Sequence, residues 1–124
     1  MAFLKDVELT IRDDGWIVNT ENLIYSDYNT TVSIPSHELS DGPTLNWFTK
    51  LFISPKEYRC GFKAAFVHDY MCRHKSLYSR KVSSLMLRDI WISCGLNSFK
   101  GAILCFCVDL YQLVKYGKTW GTAL

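Results

Sequence analysis

Tyr58-Arg59-Cys60-Gly61-Phe62-Lys63-Ala64-Ala65-Phe66-Val67-His68-Asp69-Tyr70-Met71-Cys72-Arg73-His74-Lys75 is the stretch where this chain changes its rule. Phe62, Ala65, Phe66, Asp69 and Cys72 recur at intervals of three and four, the spacing of one face of an α-helix. Upstream the apolar residues alternate with a period of two. Downstream the helical period returns twice. The change of period divides the 124 residues into an extended first part and a helical second part, an α+β chain.

Working forward, Ser79 to Cys94 forms the next helical segment, with Leu85, Met86, Ile90 and Trp91 as its apolar positions. Ser79 or a neighbour supplies the N-terminal cap, and Gly95 the stop. Asn97 or Ser98 caps a third helix running to about Tyr116, whose packing stripe is Phe99, Ile103, Phe106, Leu110, Leu113 and Val114. Gly117 ends it. Working back, Val7-Glu8-Leu9-Thr10-Ile11-Arg12 alternates as a strand, and Asp13-Asp14-Gly15 turns it into Trp16-Ile17-Val18. Leu23-Ile24-Tyr25 and Thr31-Val32-Ser33-Ile34 are further short strands, the last closed by Pro35. Leu45 to Phe52 suits a short amphipathic helix that Ser54-Pro55 closes.

The expectation is one domain over 1–124: a small antiparallel β portion at 1–40, a loop and short helix at 41–57, a three-helix core at 58–117, and a tail at 118–124 that is loose or docks through Trp120. Composition agrees. Apolar residues make up 48% and charged residues 21%, ordinary for a chain that buries a core. The net charge of +2 comes from scattered Lys and Arg, which argues against nucleic acid as a partner. Neither a signal peptide nor a membrane span is legible. The five cysteines fit no zinc spacing and are an odd number for a disulfide framework, so they are expected as free thiols in the core of a protein made in a reducing cytoplasm.

Three polar residues stand out. His68 and Asp69 are adjacent within an apolar helix, about a quarter-turn apart. A lone histidine there is ordinarily a core residue with one hydrogen bond. An ionised carboxylate beside it is costly unless paired or metal-bound. Arg73, Arg59 and Arg80 are the structural candidates to pair it. Asp41, in Ser40-Asp41-Gly42, has the plain reading of a turn or capping residue before Leu45.

Taken in order, these elements resemble an uncharacterised phage-encoded family. The matching residues are Ile34-Pro35, Asp41-Gly42, His68-Asp69-Tyr70, Arg73, Arg80 and the closing Tyr111-Gln112-Leu113-Val114-Lys115-Tyr116-Gly117-Lys118-Thr119-Trp120. The resemblance runs from about Thr31 to Trp120. A thinner resemblance is to bacterial phospholipase A2, through the Ser40-Asp41-Gly42 loop, the His68-Asp69 helix with Arg73, and the final helix with Tyr111 and Val114.

The second resemblance implies a phospholipase A2-like helical core, with Asp41 and Asp69 as calcium ligands and His68 as the general base. Such a site makes chemical sense. Calcium takes several carboxylate and carbonyl oxygens, polarises an ester carbonyl and steadies the developing oxyanion, while a neutral histidine draws the proton from water. The chain departs from that pattern at two places. The aspartate expected to orient the histidine falls on Ser84, and the tyrosine of the helix motif is Cys72. The resemblances therefore imply two functions. The first is a non-catalytic phage accessory or virion-associated protein, of the tail or particle, meeting phage structural proteins or a host protein in the host cytoplasm or the virion. The second is a calcium-dependent phospholipase or ester hydrolase with membrane lipid as its substrate.

Overall fold

The structure, a computed structural model, describes residues 2–5, 8–14, 16–40, 54, 56–57 and 61–116. Six short strands come first: β1 (Ala2–Lys5), β2 (Leu9–Ile11), β3 (Ile17–Asn19), β4 (Leu23–Asp27), β5 (Thr30–Ile34) and β6 (Leu39–Ser40). Three helices follow: α1 (Phe62–Arg73), α2 (Arg80–Cys94) and α3 (Ser98–Tyr116). This is the expected α+β order. The expected short helix at Leu45–Phe52 and the tail at 118–124 lie outside the described residues.

The strands form two antiparallel three-stranded sheets, ordered β1-β4-β5 and β2-β3-β6. β4 and β5 form a hairpin whose two-residue turn, Tyr28-Asn29, has both residues at positive φ, 50° and 57°. That turn matches the right-handed strand twist but is uncommon without glycine. Alternation explains which side of the hairpin is covered: Leu23, Tyr25, Val32 and Ile34 are buried, while Thr31 and Ser33 are exposed. β1 adds Phe3, whose ring meets Tyr25 edge-on at 4.8 Å.

The helix boundaries follow the local chemistry. Ser79 is the N-cap of α2, its Oγ accepting from the Val82 amide at 3.0 Å. Gly95 ends α2 at φ 135°, a conformation L side chains rarely adopt. Asn97 opens α3, its Oδ1 accepting from the amides of Phe99 at 2.8 Å and Lys100 at 3.4 Å. One continuous core joins the hairpin to Phe66, Val67 and Met71 of α1, Met86, Ile90 and Trp91 of α2, and Leu104 of α3.

Two expectations are corrected. The stripe read as the packing face of α3 is largely exposed at Phe99, Phe106, Leu110, Leu113 and Val114. The helix instead meets α2 through the other side, where Gly101 faces Ile92 and Arg88, and Leu104 and Val108 join the core. Both sides of α3 are apolar, so periodicity finds the helix without choosing its inner face. The cysteines are also not uniformly free: Cys72, Cys105 and Cys107 are thiols, whereas Cys94 is disulfide-bonded.

Candidate functional site

α1 sets the geometry of the His68-Asp69 pair. Successive side chains on a helix point about 100° apart, so neighbours in sequence face different surroundings. His68 turns into the core and is only 7% exposed. Asp69 turns toward the sheet, where its Oδ2 accepts a hydrogen bond from Ser40 Oγ at 2.6 Å. Ser40 is the last residue of β6 and is itself buried.

His68 sits one helical turn before Cys72, whose Sγ lies 3.6 Å from Nδ1 and 3.9 Å from Nε2. Burial pushes the imidazole pKa down to about 4, because the core offers little solvation to an imidazolium. At neutral pH the ring is uncharged. A base so weak takes little of a proton from water, and one sealed this far from solvent meets little water to act on.

The position where an orienting acid was expected is Ser84. Its hydroxyl donates to the Arg80 carbonyl at 3.2 Å and to Asp109 Oδ1 at 3.3 Å. Asp109, on α3, is paired with Arg80, Nη1 to Oδ1 at 2.7 Å. The acid at this place is therefore supplied by the facing helix and is held by an arginine. Arg80 is thus not the partner of Asp69, and the nearest carboxylate to Arg73 Nη1 is Glu38, at 3.9 Å. Asp89 faces elsewhere: it accepts from the Tyr28 hydroxyl and from Arg88 Nε, the latter at 2.8 Å. Burial first, then the Asp89 hydrogen bond, raises the Tyr28 pKa to about 12.

Of the three residues singled out by sequence, the structure describes His68 and Asp69, and Asp41 lies outside the described residues. So do Trp47, Phe48, Phe52 and Tyr58, the aromatic set next to that loop. Ser40, the residue before Asp41, touches Asp69. Among the described residues no group of three or more His, Cys, Asp or Glu side chains could hold a metal ion. Asp69 is the described half of the expected calcium pair and already accepts from Ser40, so the described residues do not by themselves amount to a calcium site.

Sequence reading missed two polar hubs. Asn19 is fully buried; its Nδ2 donates to the carbonyls of Glu21 and Pro35, both at 2.9 Å, and its Oδ1 accepts from the Glu38 amide at 2.9 Å. Its signal was a lone amide closing an apolar strand. Glu57 closes a capping box with Ser54, each side chain accepting from the other's amide at 2.9 and 3.2 Å. Its carboxylate also meets Lys100 Nζ at 3.0 Å, and its carbonyl accepts from Trp91 Nε1 at 2.8 Å. The Ser54 amide, then Lys100, hold the Glu57 carboxyl below the usual carboxylate range. The Ser54-x-x-Glu57 spacing was the available signal. Ser54, expected at the end of the 45–52 helix, caps Glu57; the helix itself lies outside the described residues.

No family model, curated protein or solved structure matches this chain. Among the described residues no helix is long and apolar enough to cross a membrane.

Proposed function

We propose that this chain is a non-catalytic phage accessory or virion-associated protein, in which the His68-Asp69 helix is a structural spine. The observation that carries the non-catalytic reading is the burial of His68, with its pKa pushed down to about 4. The Ser40–Asp69 hydrogen bond supports it, since it gives the carboxylate a structural task. The phage assignment rests on the ordered resemblance from Ile34-Pro35 to Trp120. Its partners are then phage structural proteins or a host protein, met in the host cytoplasm or the particle.

The test is hydrolysis of phospholipid vesicles and simple esters with calcium at millimolar concentration. The expected result is release no greater than that of a His68→Ala variant. Calcium-dependent release that His68→Ala abolishes would overturn the reading. Mass spectrometry of purified particles tests the virion assignment, with the chain expected among their proteins.

One observation favours a second reading, the calcium-dependent hydrolase with His68 as base and Asp41 and Asp69 as ligands. Ser40, the residue before Asp41 in sequence, contacts Asp69. On this reading calcium raises the melting temperature and Asp69→Asn removes the rise. An unchanged melting temperature at millimolar calcium sinks it.

A further inference from the structure

Helix α3 is apolar on two sides, and its neighbours use one. The inner side, with Gly101, Leu104, Val108 and Asp109, is seated on α2. The outer side carries Phe99, Ile103, Phe106, Leu110 and Leu113, spaced four, three, four and three residues apart. That alternation is the seam of a two-helix coiled coil, in which each side chain drops into a gap between four residues of the opposite helix. Phe99 is 73% exposed, Phe106 68% and Val114, on the edge of the seam, 79%. Leu110 and Leu113 are exposed as well, and Ile103 is half-buried.

We propose that α3 pairs along this seam with α3 of a second copy of the same chain. Area argues for it. The exposed parts of the seam side chains amount to roughly 650 Å² per copy, so two copies cover at most about 1,300 Å², the low end of specific protein–protein interfaces. A patch of that size is large for a monomer's surface. Charge argues for it too. The seam is bordered by Ala102, Cys107 and Val114, and the charged residues at its edges are already engaged, Lys100 with Glu57 and Asp109 with Arg80. Two such faces meet without opposing like charges. The repeat can meet its own copy about a two-fold axis, with the same patch on both sides.

Sedimentation velocity of the full chain across the micromolar range tests the pairing. The expected result is a species of twice the single-chain mass that dissociates on dilution. Phe106→Glu and Leu110→Glu, each made singly, are expected to sediment as single chains with unchanged helical circular dichroism. Glu21→Lys, on an exposed turn of the β half, is expected to keep the double mass. A wild-type chain that remains single at the highest concentration overturns the proposal, whatever the variants do. So does a dimer that survives both glutamate substitutions. A single-chain wild type whose melting temperature collapses on Phe106→Glu assigns the face to packing within its own chain and overturns the proposal too. A single-chain wild type that binds phosphatidylcholine vesicles assigns it to lipid.

Discussion

A buried imidazole ties this protein's stability to pH. His68 has its pKa depressed to about 4 from an ordinary value of 6.5. Between those two values the unfolded chain takes up a proton that the folded chain refuses. Stability is therefore full above about pH 6.5 and falls as pH drops toward 4, by a total on the order of 3 kcal/mol. We expect the melting temperature to fall between pH 7 and pH 5 in the wild type and to fall less in His68→Gln; identical slopes would remove His68 from the account. Two glycines make a contrasting pair. A Cβ on Gly61 would sit 2.4 Å from ring atoms of Trp91, which is buried and anchored through its indole N–H to the Glu57 carbonyl. A Cβ on Gly101 would meet Ile92 at 2.6 Å from its terminal methyl and 2.7 Å from Cγ1, so the whole side chain must shift, though no rigid ring stands in the way. Gly61→Ala should then cost about 1–3 kcal/mol by overpacking. Gly101→Ala should cost less, because alanine's helix preference of ~1 kcal/mol offsets part of the crowding. Thermal melts of the two variants decide this; no loss in Gly61→Ala would show that the Trp91 ring is free to move.

Helix ends carry the next set of consequences, and they were also the most legible part of the sequence. Ser79, Gly95 and Asn97 each do the capping task that their identities suggested, because a cap is a local bargain between one side chain and the amides or carbonyls beside it. Ser79→Ala should cost ~1 kcal/mol, read in urea denaturation as a lower midpoint at unchanged slope. The strands were less legible. β1 and β6, of four and two residues, lie outside the alternating runs that periodicity detects, and are held by pairing with distant β4 and β3. The face of α3 was misread for a related reason: Leu104 and Val108 on one side and Phe99 and Phe106 on the other are equally apolar, and only the neighbours choose between them. The candidate site was legible as a pair of adjacent polar residues on a helix. Its division was not, since the contact of Asp69 with Ser40 spans 29 residues and depends on how β6 pairs with β3.

The two sheets, and the two halves, are joined by polar ties as well as by the core. Asn19 gathers backbone groups from Glu21, Pro35 and Glu38 at the junction of the two sheets. Tyr28, at the hairpin tip, reaches α2, where Asp89 accepts its proton and Arg88 Nη2 donates to its oxygen at 3.1 Å. Asn19→Ala should remove the bonds to several part-buried backbone groups and cost about 1–3 kcal/mol. Because the same core spans hairpin and helices, that loss should appear in a single transition, with near- and far-ultraviolet circular dichroism falling together. Separate transitions would mean that the β half and the helices are independent units.

The shared core also has a consequence for biosynthesis. Leu23, Tyr25, Val32 and Ile34 leave the ribosome well before Phe66, Met71 and Trp91, the side chains that will cover them. The nascent hairpin therefore emerges with its apolar side bare and must wait for α1 and α2 to be translated before it can settle. A stalled chain ending ahead of Phe62 would hold strands without a lid, a natural client for a holding chaperone.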